Sequence, residues 1–201
     1  WLVRNILHVD TEKRELLLQT AARHPDISPY YRDICKVNID SGALTPLVEG
    51  NFDFAVNHPL EVKSFAYKNY TLSDGDSGVS PSGQYLVTTA SRVDTAPVST
   101  LIDRDGKEIL TIETCDVSSL PSDWQWPEPV KLKGADNTTD IYAVVFRPPG
   151  FSPEKSYPVV DFASSLRSIS TLPTGSFVNN VWAGHDYMGA AALATLGFIV
   201  V

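Results

Sequence analysis

The sequence predicts a mainly β chain that turns into α/β over its last third. Three observations carry this: apolar or β-branched runs punctuated by turn residues fill the first 112 positions, one strand–turn–strand segment occurs twice, and a strand–helix–strand pattern closes the chain. The runs are Val3–Val9, Glu15–Thr20, Tyr30–Ile39, Tyr85–Ala90, Pro97–Ile102 and Lys107–Ile112, the pattern of antiparallel strands.

The repeated segments are 37–45 (VNIDSGALT) and 101–111 (LIDRDGKEILT), each a strand, an Asp/Gly turn and a second strand. Their glycines, Gly42 and Gly106, lie 64 residues apart. Common propeller blades repeat every ~40–50 residues, so the spacing predicts blades with an inserted loop, placed at Gly50–Gly78.

Between Thr114 and Pro129 the strand pattern stops. Val117–Asp123, followed by Trp124, Trp126, Pro127 and Pro129, reads as a linker that packs, and a domain boundary is placed between 122 and 123. Beyond it, Val130–Lys133 and Asp140–Arg147 form a hairpin around Gly134–Asn137, ended by Pro148-Pro149-Gly150. Tyr157–Phe162 reads as a strand buried on both faces. Tyr187–Leu196 reads as a helix with Asp186 as N-cap and Gly197 as its stop, and Phe198–Val201 as a second buried strand. Strand, crossover helix, strand is the logic of a parallel sheet. Two such strands leave a doubly wound sheet incomplete, so the chain is expected to be a fragment of a longer protein.

Composition narrows the function. The 201 residues are 43% hydrophobic and 20% charged, typical of a folded chain. The net charge of −8 is concentrated before residue 127 (−7, against −1 after it) and makes nucleic acid and anionic membrane poor partners. The longest oily run, Ala190–Val201, is too short for the ~20 residues of a transmembrane helix, so no transmembrane segment is expected. Cys35 and Cys115 lack further Cys or His at metal spacing, so no metal site is predicted; two buried free thiols are the simplest reading, with a disulfide left open.

The segments Trp1–Leu7, Ser80–Tyr85, Ser91–Val98, Phe146–Phe151, Lys155–Val160 and Leu193–Val201 follow one another in an order that resembles the prolyl oligopeptidase family of serine peptidases, on its dipeptidyl peptidase IV branch. The resemblance implies the C-terminal blades of a β-propeller (1–122) followed by the N-terminal, truncated part of an α/β-hydrolase fold (123–201). It also implies hydrolysis of peptides with Pro or Ala near the N-terminus, without metal or organic cofactor. Family members carry the nucleophilic Ser on a G-x-S-x-G elbow after the strand matching Phe198–Val201, with Asp and His later. The catalytic triad is therefore expected beyond residue 201, and no catalytic residue within this chain. The resemblance is compatible with a homodimer of the full-length protein and favours a periplasmic or secreted location.

One departure matters. The family's strand matching Val159–Phe162 runs into a loop whose Tyr helps hold the oxyanion, whereas here Asp161-Phe162-Ala163-Ser164-Ser165-Leu166-Arg167 stands in its place. Ser164, or Ala163 with a one-residue gap, occupies the Tyr position, and Ser164 is the residue assigned to the oxyanion-hole neighbourhood; a polar loop residue without a catalytic part is the simpler reading of it. A non-catalytic propeller–hydrolase scaffold and an esterase or acyl-aminoacyl hydrolase are the alternatives.

Other motifs carry less. Gly75-Asp76-Ser77-Gly78 imitates a serine-protease tetrapeptide but precedes the turn Ser80-Pro81-Ser82-Gly83. His185-Asp186 are adjacent and cannot easily take triad geometry. His8, His24 and His58 lack ligand spacing, and Asn69-Tyr70-Thr71 and Asn137-Thr138-Thr139 match the glycosylation sequon. Tyr30, Tyr31, Trp124 and Trp126 are assigned to packing before any substrate tunnel.

Overall fold

The computed structural model describes residues 1–56, 78–161, 172–176 and 189–201. It is mostly β, and its described residues fall into two compact units, one of 1–56, 78–92 and 97–115, the other of 93–96 with the described residues from 116 onward.

The first unit holds two four-stranded sheets. The first runs in chain order through β1 (Leu2–Asp10), β2 (Glu15–Ala21), β3 (Arg32–Asn38) and β4 (Leu44–Val48), each antiparallel to the next. The second repeats the order with β5 (Asp53–Ala55), β6 (Tyr85–Arg92), β7 (Thr95–Asp103) and β8 (Glu108–Thr114). Short connections force this up-and-down order, since only antiparallel strands can be joined by tight turns. Both sequence-predicted hairpins form: β3–β4 turns at Gly42 (φ +70°) and β7–β8 at Gly106 (φ +84°).

The stretch 50–78 is not all insertion. β5 lies inside it and pairs with β6 (Asp53↔Ser91, Ala55↔Thr89), so the second sheet starts there. Three residues are too few for alternation to show in the sequence.

Strand pairing aligns Leu17 with Lys36, Gln19 with Ile34 and Ile34 with Val48, which puts these side chains on one face of the first sheet. That face meets the second sheet in a core of Leu17, Ile34, Phe54, Val56, Leu86 and Ile102, all at most 8% exposed. Each fully buried aliphatic or aromatic side chain contributes roughly 1.5–3 kcal/mol. Polar links cross the same boundary: the Gln19 amide donates to Phe54 O (3.0 Å), Lys36 pairs with Asp105 (2.7 Å), and Arg104 reaches Asp10 (2.9 Å) and Glu15 (2.6 Å).

The second unit opens with the expected hairpin, β9 (Glu128–Lys133) antiparallel to β10 (Asp140–Val145). Phe146 then exchanges backbone hydrogen bonds with Val200 (2.8 and 3.0 Å). This attaches β12 (Ile199–Val200), which pairs in parallel with β11 (Val159–Val160). Helix α1 (Ala190–Thr195) lies between β11 and β12 in sequence. It ends on a Schellman motif, with Gly197 N donating to Ala194 O and Phe198 N to Leu193 O while Gly197 takes φ +99°.

Two expectations need correction here. The N-cap is Gly189, with no side-chain bond, and the helix is shorter than Tyr187–Leu196; Asp186 itself lies outside the described residues. The strand at Val159 is not buried on both faces: it spans two residues and Val159 is 63% exposed, because its pairing among the described residues is with β12 alone. Cys35 and Cys115 are both free, and only Cys35 is buried; burial pushes its thiol pKa up, as expected for an inert core thiol. Among the described residues no helix is long and apolar enough to cross a membrane.

Candidate functional site

Ser164 lies outside the described residues, as do His58, His185, Asp186, the Asn69 sequon and Asp76-Ser77. What the structure describes are the segments on either side of residues 162–171. β11 is registered against β12 (Val159↔Ile199, Val160↔Val200), and β12 is tied on its other side to Phe146. The segment before β11 is braced by side chains from the Phe146–Phe151 motif. The Arg147 guanidinium sits 5.2 Å from the Phe151 ring, Phe151 lies 5.2 Å from the Tyr157 ring, and the Tyr157 hydroxyl accepts from Ser152 N (2.9 Å). Arg147 also pairs with Glu128 on β9 (2.5 Å). On the far side, Ser176 is 4% exposed and its hydroxyl donates to Thr95 O (2.7 Å).

The remaining motif residues take structural positions. His8 on β1 lies against the Ser80–Gly83 turn, and Trp124 packs edge-to-face on Trp126 at 6.1 Å within the linker. Tyr30 and Tyr31 fall in the connection between β2 and β3, with Tyr31 buried. Asn137 is exposed at the β9–β10 turn with φ +56°. The Asp136 carboxylate there accepts from Thr138 N, Thr139 N and the Thr139 hydroxyl, which holds its pKa far below the usual range.

Four side chains that the sequence leaves separate converge in the first unit. Arg23 and His24 begin the connection after β2, Asp33 is on β3, and Glu49 follows β4. Arg23 Nη2 meets Glu49 Oε2 at 3.0 Å and Arg23 Nη1 meets Asp33 Oδ2 at 3.9 Å; His24 Nε2 lies 3.3 Å from Glu49 Oε2 and 3.7 Å from Asp33 Oδ2. The Asp33 side chain is 5% exposed, and this burial raises its pKa against the pull of Arg23 and His24. Arg23 Nη1 and His24 Nε2 are buried without a hydrogen bond of good geometry. Beside them Arg32 holds Asp53 through Nε and Nη2 (2.8 Å each), and its backbone N–H donates to the same carboxylate (2.9 Å). No local spacing flags this cluster; its members meet only because β2, β3 and β4 are neighbours. It places one histidine beside two carboxylates.

No protein-family model and no curated protein matches the sequence. Solved structures do. A protein assigned as a dipeptidyl aminopeptidase IV from Bacteroides ovatus ATCC 8483 matches all of the chain at 20% identity and a TM-score of 0.68. Porphyromonas gingivalis dipeptidyl peptidase 4 does so at 20% identity and 0.60. The fold is that of a dipeptidyl peptidase IV segment. The chain spans 24% of the length of each of these structures, so the dipeptidyl peptidase IV likeness concerns the architecture of about one quarter of such a protein.

Proposed function

We propose that the chain is part of a serine exopeptidase of dipeptidyl peptidase type, in which residues 1–122 supply propeller blades and 123–201 open an α/β-hydrolase domain. The observation that carries the reading is the fold likeness over the whole chain, which takes in both the paired four-stranded sheets and the β9–β12 region together. The isolated bridge between Phe146, just after β10, and Val200 of β12 supports it further, since an antiparallel edge beside a parallel strand–helix–strand unit is a common form of an α/β sheet.

In this reading a Ser outside the chain attacks the peptide carbonyl, a His carries its proton to the leaving amine, and an Asp orients the His. The chain's part is positional. β11, held by β12, leads into the segment that contains Ser164, and Ser164 or a neighbouring backbone N–H would face the developing oxyanion in place of the family's Tyr. The substrate is a peptide, and the first two sheets belong to the filter that admits it.

Hydrolysis of aminoacyl-prolyl and aminoacyl-alanyl chromogenic substrates by the full-length protein tests the proposal. Release of the N-terminal dipeptide is the expected product. Turnover of simple esters but of no peptide would replace the reading with the esterase alternative, and inertness toward both would favour a scaffold.

A further inference from the structure

The β7–β8 turn carries an Asp-Gly pair, Asp105-Gly106. Such a pair is chemically labile, because glycine has no side chain to keep its own amide nitrogen away from the preceding carboxyl. The nitrogen of Gly106 attacks Asp105 Cγ; the C–N bond forms, the carboxyl C–O bond breaks, and the hydroxyl leaves with the amide proton as water. A second water then opens the cyclic imide. Opening at the main-chain carbonyl leaves the chain running through Cβ of residue 105, an isoaspartate, and opening at the other carbonyl restores aspartate. Water is lost and regained, and nothing is oxidised or reduced.

The folded chain holds both reacting groups in other contacts. Gly106 N donates to Asp103 O (3.0 Å), and the Asp103 carboxylate accepts from Asp105 N and Lys107 N (2.9 Å each). The Asp105 side chain is 75% exposed yet bound to Lys36 Nζ (2.7 Å), an ammonium on β3 whose own side chain is only 17% exposed. This hydrogen-bonded ammonium holds the Asp105 carboxyl below the usual carboxylate range. An ionised carboxylate is the poorer electrophile, since it cannot release water without first taking up a proton. The contact also joins the first sheet to a turn of the second, so the reactive pair is guarded by the stacking of the two sheets.

We propose that Asp105-Gly106 is a site of spontaneous aspartate isomerisation that the Lys36 ion pair keeps shut while the two sheets are stacked. The conversion does most harm where it happens. It adds a backbone atom to a turn with no spare room, because a Cβ on Gly106 would already stand 2.5 Å from Leu47 O. An isoaspartate at 105 therefore marks a molecule whose sheets have come apart and hinders their return.

Incubation of the full-length protein in heavy-oxygen water at neutral pH, followed by digestion in ordinary water and peptide mass spectrometry, reads the event, since each passage through the imide inserts one solvent oxygen. The wild type should gain heavy oxygen at residue 105 more slowly than an unfolded synthetic peptide of residues 101–111. Lys36→Gln, with an unchanged circular dichroism spectrum, should gain it about twofold to fivefold faster than the wild type, the range that a partly exposed ion pair contributes. Asp105→Glu, which cannot close the same ring, should gain none there. A wild-type rate equal to that of the peptide, equal rates in wild type and Lys36→Gln, no gain at residue 105 in either, or a gain there in Asp105→Glu would overturn the proposal.

Discussion

The two hairpin glycines offer a matched pair of perturbations. Gly42 and Gly106 hold the same place in the repeated Asp/Gly turns, both with positive φ, and each turn is closed by the glycine N–H, to Asn38 O (2.9 Å) in one and Asp103 O (3.0 Å) in the other. Their surroundings differ. A Cβ on Gly42 would meet nothing within 4 Å, whereas a Cβ on Gly106 would stand 2.5 Å from Leu47 O and 2.9 Å from Leu47 Cα, backbone of β4 in the neighbouring sheet. Alanine in the left-handed region costs roughly 1–2 kcal/mol, of which ~0.4–1 kcal/mol is returned by the stiffer unfolded chain. Gly42→Ala should therefore cost about 1 kcal/mol or less. Gly106→Ala pays the same conformational cost and must also push two sheets apart, which overpacking studies place at about 1–3 kcal/mol. In urea unfolding monitored by tryptophan fluorescence and circular dichroism, the Gly106→Ala midpoint should fall clearly below that of Gly42→Ala with an unchanged slope. Equal midpoints would refute the close approach of the β7–β8 turn to β4, and with it the stacking of the two sheets.

Asp53→Ala removes the carboxylate that satisfies the Arg32 side chain and backbone N–H, and should cost about 3 kcal/mol in the same unfolding assay; a loss below about 1 kcal/mol would show the pair to be incidental. Asp136→Ala should speed hydrogen exchange in the β9–β10 turn at neutral pH. The folded pKa of Asp136 is depressed by its three hydrogen bonds, so their stabilisation is present above about pH 4 and lost as pH falls through the lower folded value; the difference from wild type should shrink in acid, and a pH-independent difference would contradict this. In an active full-length enzyme, Ser164→Ala should lower kcat with little change in KM, by at most the ~10²–10³ typical of one oxyanion donor, and unchanged kcat/KM would assign Ser164 to the loop alone.

The fold was legible where local chemistry decides it. The Asp/Gly turns at 40–42 and 105–106 punctuate strands long enough to show their pattern, and Gly197 marks a helix end that only a residue free of a Cβ takes readily. It was not legible where long-range pairing decides. β5 is recognisable as a strand only through its partner β6, and the exposure of Val159 depends on which strands flank β11, information that Tyr157–Phe162 does not contain. The site divides in the same way. Phe146–Phe151 is recognisable in sequence only by its order among the resembling segments, and the structure adds that Arg147, Phe151 and Tyr157 brace one another. The sequence does not show the setting of His24 because the carboxylates it meets, Asp33 and Glu49, stand nine and 25 residues further on and come together only across three strands.

The central claim, that this chain is one piece of a serine peptidase whose nucleophile lies outside it, is tested most directly by labelling the full-length protein with a fluorophosphonate and mapping the modified residue. Such probes react with a serine activated by a positioned base and leave ordinary hydroxyls alone. The account predicts stoichiometric labelling of a single Ser in a G-x-S-x-G elbow, with none of the serines of residues 1–201 modified. Labelling of a serine within residues 1–201, or of no serine at all in a protein shown to be folded, would contradict it.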